Sequence, residues 1–327
     1  MPIPPSGERF LARHVERLHQ IRPKKRIVFP EGSDPRVLDA AGRLARDGLV
    51  DAILVGSKPS NAPAGVAFVE PTDKYARLYY ERRRAKGTTE VEASEISKRP
   101  LYFASLMVAA GEADGSVGGA ANSTADTVRA ALHAVGPRAG AKLVSSVFIV
   151  SIPNENFGHR GLIAMADCGI VIDPSPSELA EIAIATAKSV KTLMEVEPAV
   201  ALLSFSTKGS GKHPWVDKVV EALRIVKVRA PDLHVDGELQ ADAALVGEIG
   251  RSKAPGSTVA GRANTLIFPD LNSANIGYKL VERLAGGAAL GPFLQGLAKP
   301  ANDLSRGCSV DDIYIAAVVT ALQSLEK

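Results

Sequence analysis

A stretch near the end of the chain carries residue types that could act on an anionic substrate. Asp303–Asp312 reads DLSRGCSVDD, and Ser305 and Arg306 stand in a glycine-containing turn just before a predicted helix. Such a turn presents backbone N–H groups to an anion, and an arginine adds a fork that binds phosphate. Ser309 and Asp312 also fit a helix capping box. On the residues alone, capping explains this pair better than catalysis, but it explains Ser305 and Arg306 less well.

A second stretch, Gly119–Arg129 (GAANSTADTVR), combines small residues, hydroxyl groups and one arginine at a predicted helix start. One interpretation is a helix capped by Ser123, with Arg129 exposed to solvent. The other is a phosphate-binding cradle formed by the hydroxyls of Ser123 and Thr127, the helix N–H groups and the Arg129 guanidinium. The sequence alone favours neither interpretation.

The basic run ERRRAK at Glu81–Lys86 also has two interpretations. A run of like charges is usually a solvated helix face. The alternative is a docking site for the phosphates of a nucleotide-tailed ligand.

Several known catalytic motifs are excluded. Gly209–Lys212 (GSGK) is similar to part of a nucleotide phosphate loop, but Ser206 replaces the first glycine and His213 follows the lysine. No GxGxxG follows the first predicted strand, no GxSxG occurs, and the six histidines form no HExxH. Asp236–Asp242 (DGELQAD) has acidic residues but no metal-ligand spacing, so we predict no metal site.

The elements that must position these residues begin with a βαβ pattern. Arg26–Glu31 is predicted to be a strand, Asp34–Gly48 a helix with Asp34 as N-cap and Pro35 in its first turn, and Val50–Gly56 the next strand. This order predicts a parallel sheet.

The rest of the chain continues in the same α/β style, without a linker or an internal repeat. Further strands are predicted at Lys142–Ile152, Gly169–Ile172, Ala199–Ser204 and Thr265–Phe268, and further helices at Asp73–Lys86, Thr89–Ala113, Ser123–Val135, Ser177–Met194, Pro214–Val228, Asn275–Ala285 and from Val310 onward.

Composition limits the class of protein. The chain has 327 residues, of which 46% are apolar and 23% charged, and this is a globular balance with room for two domains. The net charge of +3 does not suggest a nucleic-acid partner. Two distant cysteines indicate neither a zinc site nor a disulfide framework. No signal peptide or membrane-spanning run is visible, so we expect a cytoplasmic protein without a membrane partner.

Seven segments, in order and at family spacing, resemble the phosphate acetyltransferase (phosphotransacetylase) family. Any one of them alone is weak, whereas the ordered set is very specific. The segments are FPEGSDPRVLDAA at Phe29–Ala41, GEADG at Gly111–Gly115, LSFSTKGSGKHP at Leu203–Pro214, VDGELQADAA at Val235–Ala244, SKAPGSTVAGRAN at Ser252–Asn264, FPDLNSANIGYK at Phe268–Lys279 and GPFLQGLAKPANDLSRGCSVDDI at Gly291–Ile313.

The resemblance implies a fold class, α/β, with two α/β lobes and a cleft between them, related to the isocitrate/isopropylmalate dehydrogenase architecture. One lobe would comprise residues 1–139 plus 291–327, and the other residues 140–290. It also implies a homodimer without a metal or a permanently bound cofactor. Its substrates would be coenzyme A (CoA), acetyl phosphate and phosphate.

The resemblance also assigns roles to particular residues. The general base that takes the proton of the CoA thiol falls on Asp312, and the family's Ser-Arg pair falls on Ser305 and Arg306. Arg83 would contact a CoA phosphate, and Arg129 the acyl-phosphate side. The serine would stabilise charge at the reacting carbonyl, and Arg306 would hold phosphate or that carbonyl.

One position departs from the family pattern. Some members carry a cysteine where this chain has Glu155. Without that thiol, we expect direct attack of CoA on the acyl phosphate rather than an acyl-enzyme.

Three alternatives remain open: a non-catalytic acyl-CoA-binding module, an enzyme that prefers propionyl or butyryl groups, and a metal- and NAD-dependent dehydrogenase of the same architecture.

Overall fold

The computed structural model describes residues 3–325, which divide into two compact units. The first unit comprises Leu11–Gly140 together with the chain from Leu297 onward, and the middle unit comprises the described residues up to Phe10 together with Ala141–Gly296. The boundary expected after residue 290 falls inside β10 (Ala288–Gln295). Because β10 pairs with β5 (Ser145–Ser151) as far as Gln295, the middle unit extends to Gly296.

The first unit is built on a five-stranded sheet whose neighbouring strands are all parallel, in the order β11-β4-β1-β2-β3. Its strands are β1 (Lys25–Phe29), β2 (Val50–Val55), β3 (Ala67–Val69), β4 (Gly115–Gly118) and β11 (Ala301–Asp303). Its helices are α2 (Pro35–Arg46), α3 (Ala76–Arg83), α4 (Glu90–Ser97), α5 (Pro100–Ala110), α6 (Thr124–Ala134) and α12 (Val310–Gln323), while α1 (Pro5–His19) contributes its residues from Leu11 onward.

The first βαβ unit follows the sequence prediction. Asp34 caps α2 by accepting a hydrogen bond from the Arg36 N–H, and Pro35 occupies the first turn. The buried side chains of α2 recur at helical spacing, and the apolar residues of α12 are covered in the same core.

The middle unit has a six-stranded sheet in the order β10-β5-β6-β9-β7-β8. The β10–β5 and β5–β6 pairs are antiparallel, and the other pairs are parallel. The remaining elements are β6 (Leu162–Ala166), β7 (Val200–Leu203), β8 (Val235–Leu239), β9 (Thr265–Ile267), α7 (Pro176–Ser189), α8 (Pro214–Arg229), α9 (Ala241–Leu245), α10 (Gly247–Lys253) and α11 (Leu271–Leu284).

Two predicted elements were wrong. Gly169–Ile172 is not a strand, because the buried carboxylate of Asp167 accepts hydrogen bonds from the N–H groups of residues 169, 170 and 171 and bends them into a loop after β6. The single helix expected at 89–113 is two helices, α4 and α5. Pro100 starts α5, and Arg99 before it is extended, as a residue preceding proline prefers.

None of the helices in the described part of the chain is both long and apolar enough to cross a membrane.

Candidate active site

Three loops of the first unit meet at one edge of its sheet. The loops follow β1, β4 and β11, which are neighbours in the order β11-β4-β1. Because these strands are parallel, their carboxyl ends lie on the same side, where open α/β sheets bind ligands. The loop after β11 carries Ser305 and Arg306, and the loop after β4 leads into α6 with Ser123 and Arg129.

The loop after β4 is held by the buried carboxylate of Glu31, which follows β1. This carboxylate accepts hydrogen bonds from the backbone N–H groups of Gly119, Ala120 and Ala121 at 2.9–3.1 Å. The side-chain amide of Asn122 donates another at 2.7 Å. Four consecutive residues are therefore fixed around one anionic group.

The loop after β11 is held by Arg36. Its Nη1 donates to the carbonyl oxygens of Arg306 and Cys308, both at 2.9 Å. Its Nη2 donates to the carbonyl oxygen of Ala120 at 2.8 Å, and the guanidinium is also paired with Asp34. One side chain therefore joins the loops after β4 and β11.

In the Ser305–Asp312 segment, the residues to which the family resemblance assigns catalytic roles are exposed. The side chains of Ser305, Arg306 and Asp312 face solvent, and the Arg306 guanidinium has no partner among the described residues. Ser309 and Asp312 form the predicted capping box at the start of α12. The segment thus presents a carboxylate, a hydroxyl and a free guanidinium within one helical turn and its preceding loop.

The Ser123–Arg129 stretch forms a capped helix. Ser123 caps α6 through the Asp126 N–H, and its hydroxyl donates to the Asp126 carboxylate at 2.7 Å. The Thr127 hydroxyl donates to the Ser123 carbonyl oxygen at 3.2 Å. Arg129 is half-exposed and pairs with Asp126 at 2.7 Å. Both hydroxyls therefore have partners within the helix, and Arg129 remains accessible.

Arg83, at the end of α3, lies near Arg129. Burial lowers the pKa of His133, and the charges of Arg83 and Arg129 lower it further, so both guanidinium groups act on one imidazole. Tyr79 lies beside these charges, because its hydroxyl is 3.4 Å from His133 Nδ1 and the charge of Arg83 opposes the rise that burial causes in the pKa of Tyr79. The structure thus brings together two of the arginines that the sequence singled out.

A cavity of about 530 Å³ in the first unit opens beside these groups. Its walls include the side chains of Glu31, Arg99, Tyr102, Asn122 and Arg129. The cavity therefore connects the loop held by Glu31 with the arginines near α6.

A buried acid, Asp303, lies under the loop after β4. It is 2% exposed, and its Oδ1 has no hydrogen-bond partner among the described residues. Burial raises the pKa of Asp303 to about 6, while Thr124 and Thr127 oppose this rise. A Cβ atom at Gly119 would lie 2.5 Å from this oxygen, so the close approach requires glycine there.

Sequence reasoning missed Glu31, Arg36 and Asp303. Glu31 and Arg36 lie in the segment that carries the family resemblance after the first strand, and a carboxylate just beyond the carboxyl end of a parallel strand could have been identified. Glu155, at the departure from the family pattern, pairs with Arg9 at 2.8 Å.

Comparison with known proteins identifies the class. The family described as phosphate acetyl/butaryl transferase matches residues 10–321. A phosphate acetyltransferase of Thermoanaerobacterium thermosaccharolyticum is 50% identical over 313 residues, covering 92% of this chain and 95% of that protein. A phosphotransacetylase structure from Streptococcus pyogenes superposes with a TM-score of 0.91 at 44% identity, covering 98% of this chain and 99% of the other.

A dehydrogenase has a similar fold. A 4-hydroxythreonine-4-phosphate dehydrogenase from Klebsiella pneumoniae has a TM-score of 0.50 at 11% identity, covering 92% of this chain and 99% of that one, which is a likeness of fold alone.

The chain belongs to the phosphate acetyl/butaryl transferase family. It is an acyltransferase with the activity of a phosphate acetyltransferase, as the sequence predicted.

Proposed function

We propose that the chain transfers an acetyl group between acetyl phosphate and CoA by direct attack in a ternary complex, with Asp312 as the general base. The observation that carries the proposal is the arrangement of the Asp312 carboxylate. Its Oδ2 is held by Ser309, while its Oδ1 accepts no hydrogen bond from any described residue. One oxygen thus fixes the direction of the group, and the other is available to a proton.

The base is needed because a free thiol has a pKa of about 8.5 and is mostly protonated at neutral pH. As the CoA sulfur attacks the acetyl carbonyl carbon, Asp312 takes the thiol proton, the S–C bond forms, and the C–O bond to phosphate breaks. In this scheme Ser305 stabilises charge on the carbonyl oxygen.

Three arginines supply the positive charge that two anionic substrates require. Arg306 has no partner among the described residues and would hold the phosphate group of acetyl phosphate or the carbonyl. Arg129 would act on the acyl-phosphate side, and Arg83 would bind a CoA phosphate. The nearness of Arg83 and Arg129 to one imidazole supports a shared region of positive charge. Ser123 and Thr127 would contribute at the start of α6.

The cysteines support direct transfer rather than an acyl-enzyme. Both are buried. Burial raises the pKa of the Cys308 thiol to about 11, and burial also raises the pKa of Cys168. A thiol nucleophile needs a lowered pKa and exposure, which neither group has.

Initial rates with varied CoA and acetyl phosphate test the mechanism. Intersecting double-reciprocal lines are expected, whereas parallel lines with a trapped acyl-enzyme would contradict direct transfer. The same assay with propionyl and butyryl phosphate defines the acyl preference. This measurement is needed because one methylene changes the discrimination between two acyl phosphates by only about 1–3 kcal/mol.

We also propose that the protein is a homodimer and that helix α11 contributes to the contact. Ile276, Leu280 and Leu284 recur every four residues on this helix, and each is more than half exposed. An exposed apolar stripe of this kind is typical of a protein interface, and the family resemblance supports a second copy of the chain as its occupant.

A cytoplasmic location, where CoA is available and thiols stay reduced, fits two free cysteines.

A further inference from the structure

We propose that Arg36 is a positioning residue for the reaction, setting the place of the Ser305–Cys308 turn relative to the loop after β4. The inference rests on the proposed roles of Arg306 and Asp312. Arg36 itself has no proposed contact with substrate, because its donors are all directed at the protein.

The hydrogen-bonding capacity of Arg36 is fully used. A guanidinium has five N–H donors. Nε donates to Asp34 Oδ1 at 3.1 Å, and Nη2 donates to Asp34 Oδ2 and to the Ala120 carbonyl oxygen, both at 2.8 Å. Nη1 donates to the carbonyl oxygens of Arg306 and Cys308 at 2.9 Å. Five donors therefore meet five acceptors on three segments of chain.

Asp34 fixes the plane of this guanidinium. Its carboxylate binds Arg36 through both oxygens and also caps α2, so the fork is tied to a helix start. The hydrogen bond from Arg36 lowers the pKa of Asp34 despite partial burial. The pair therefore stays ionised at neutral pH and gives Arg36 a rigid base on the β1–α2 connection.

The three carbonyl groups that Arg36 holds belong to the loops that carry the proposed chemistry. The Arg306 carbonyl is fixed, while the Arg306 side chain remains without a partner among the described residues. Cys308 directly precedes Ser309, the residue that orients Asp312. Moving this turn would displace the phosphate-holding arginine and the base together.

Lysine cannot replace arginine in this role. Its ammonium group is a compact charge with three donors and lacks the planar fork that reaches a carboxylate and two loops at once. If Arg36 only stabilised the fold, its loss would act like the loss of any equally buried ion pair. The chain offers such a pair in Arg229–Glu181, whose side chains are 30% and 12% exposed against 33% and 13% for Arg36–Asp34.

The test compares Arg36→Gln, Arg36→Lys, Arg229→Gln, Arg306→Gln and the double variant Arg36→Gln/Arg306→Gln in full-length protein. Thermal unfolding and steady-state rates with CoA and acetyl phosphate are measured for each. Arg36→Gln is expected to lower kcat about 100-fold, because a displacement of about 1 Å in a reacting group costs that much. The KM for CoA should change little.

Arg36→Lys should recover little of this rate, and Arg229→Gln should lower the melting temperature similarly while kcat stays unchanged. In the Arg306→Gln background, Arg36→Gln should cause a smaller further loss, because one of the two groups that it positions is already gone.

A positioning role is overturned if Arg36→Gln keeps kcat, or if its rate loss is fully additive with that of Arg306→Gln. An Arg306→Gln variant with normal rates would instead remove the proposed role of Arg306, so the two failures are distinguishable. If Arg36→Gln does not fold, the same comparison is made with Asp34→Asn, which leaves Arg36 in place but loosens it.

Discussion

Asp312 is held by Ser309 through a single carboxylate oxygen. Its Oδ2 accepts from the Ser309 backbone N–H at 2.8 Å and from the Ser309 hydroxyl at 2.9 Å, and the Ser309 hydroxyl accepts in turn from the Asp312 N–H at 3.2 Å. The Asp312 carboxylate is therefore both the proposed base and a member of the capping box. The cap gives the carboxylate a fixed direction without using its second oxygen.

Replacing Asp312 by Asn separates its role in helix capping from its proposed role as the base. Asparagine keeps an acceptor for the Ser309 groups but cannot take a proton, so kcat should fall by about 100- to 10,000-fold, while KM and the melting temperature change little. Glu178→Gln alters an equivalent capping box with Ser175 on α7 and serves as the control. Steady-state kinetics of both variants check the prediction, and a normal rate for Asp312→Asn would remove this residue as the base.

Replacing Glu31 by Gln should loosen the loop after β4. The amide group of glutamine would keep one acceptor oxygen but place an N–H donor where the other stood, so the N–H of either Ala120 or Ala121 would lose its acceptor. We expect a loss of about 1–3 kcal/mol in the free energy of unfolding. Urea unfolding measures it. Glu70→Gln, which alters an exposed hydrogen bond from Ser57, is the control and should stay near the wild-type value.

Asp303 should make stability depend on pH. Its folded pKa of about 6 lies above the ordinary unfolded value of about 3.9, so the carboxyl binds its proton more tightly in the folded protein. The stabilising effect of that proton is complete below pH 4 and is lost as the pH rises through 6. Asp303→Asn should therefore gain about 3 kcal/mol relative to wild type at pH 8, and the difference should shrink towards pH 4.

Unfolding curves of wild type and Asp303→Asn at several pH values between 4 and 8 provide the measurement. A difference that does not vary with pH would show that Asp303 has an ordinary pKa.

The exposed stripe on α11 should govern assembly. Leu280→Glu places a charge at the centre of the stripe and should convert the dimer to a monomer, as measured by light scattering. Val228→Glu changes an exposed valine on α8 of the same unit and should leave the mass unchanged. A monomeric wild-type protein, or a Leu280→Glu variant that is still dimeric, would contradict the proposed contact.

Local sequence signals were sufficient for the parts of the fold that depend on neighbouring residues. Asp34 and Pro35 marked the start of α2, and the spacing of Ser309 and Asp312 marked the start of α12, because caps act within one helical turn. The prediction of a strand at Gly169–Ile172 was wrong partly because of a contact between residues that are distant in sequence. An apolar run there would suit a strand, but the buried Asp167 is an acceptor for its backbone N–H groups and also binds Ser146 on β5.

Arg36, which holds the loop after β11, was beyond sequence patterns for a similar reason. The acceptors of Arg36 include carbonyl oxygens 84, 270 and 272 positions away along the chain. Every residue has a carbonyl group, so no residue type signals such a partner. The family resemblance suggested roles for the exposed Arg306 and Asp312, whereas Arg36, which holds their turn, is apparent only in three dimensions.

The pairing of β11 with β4 has a consequence for synthesis. These strands are neighbours in the first sheet, yet Ala141–Gly296, the larger part of the middle unit, is encoded between them. A ribosome must therefore finish the middle unit before the strand that delivers Ser305 and Arg306 emerges. Until then β4 has an open edge on that side. The nascent protein thus gains the loop with Ser305 and Arg306 late. The same step pairs β11 with the open edge of β4, so that this edge can no longer pair with another strand.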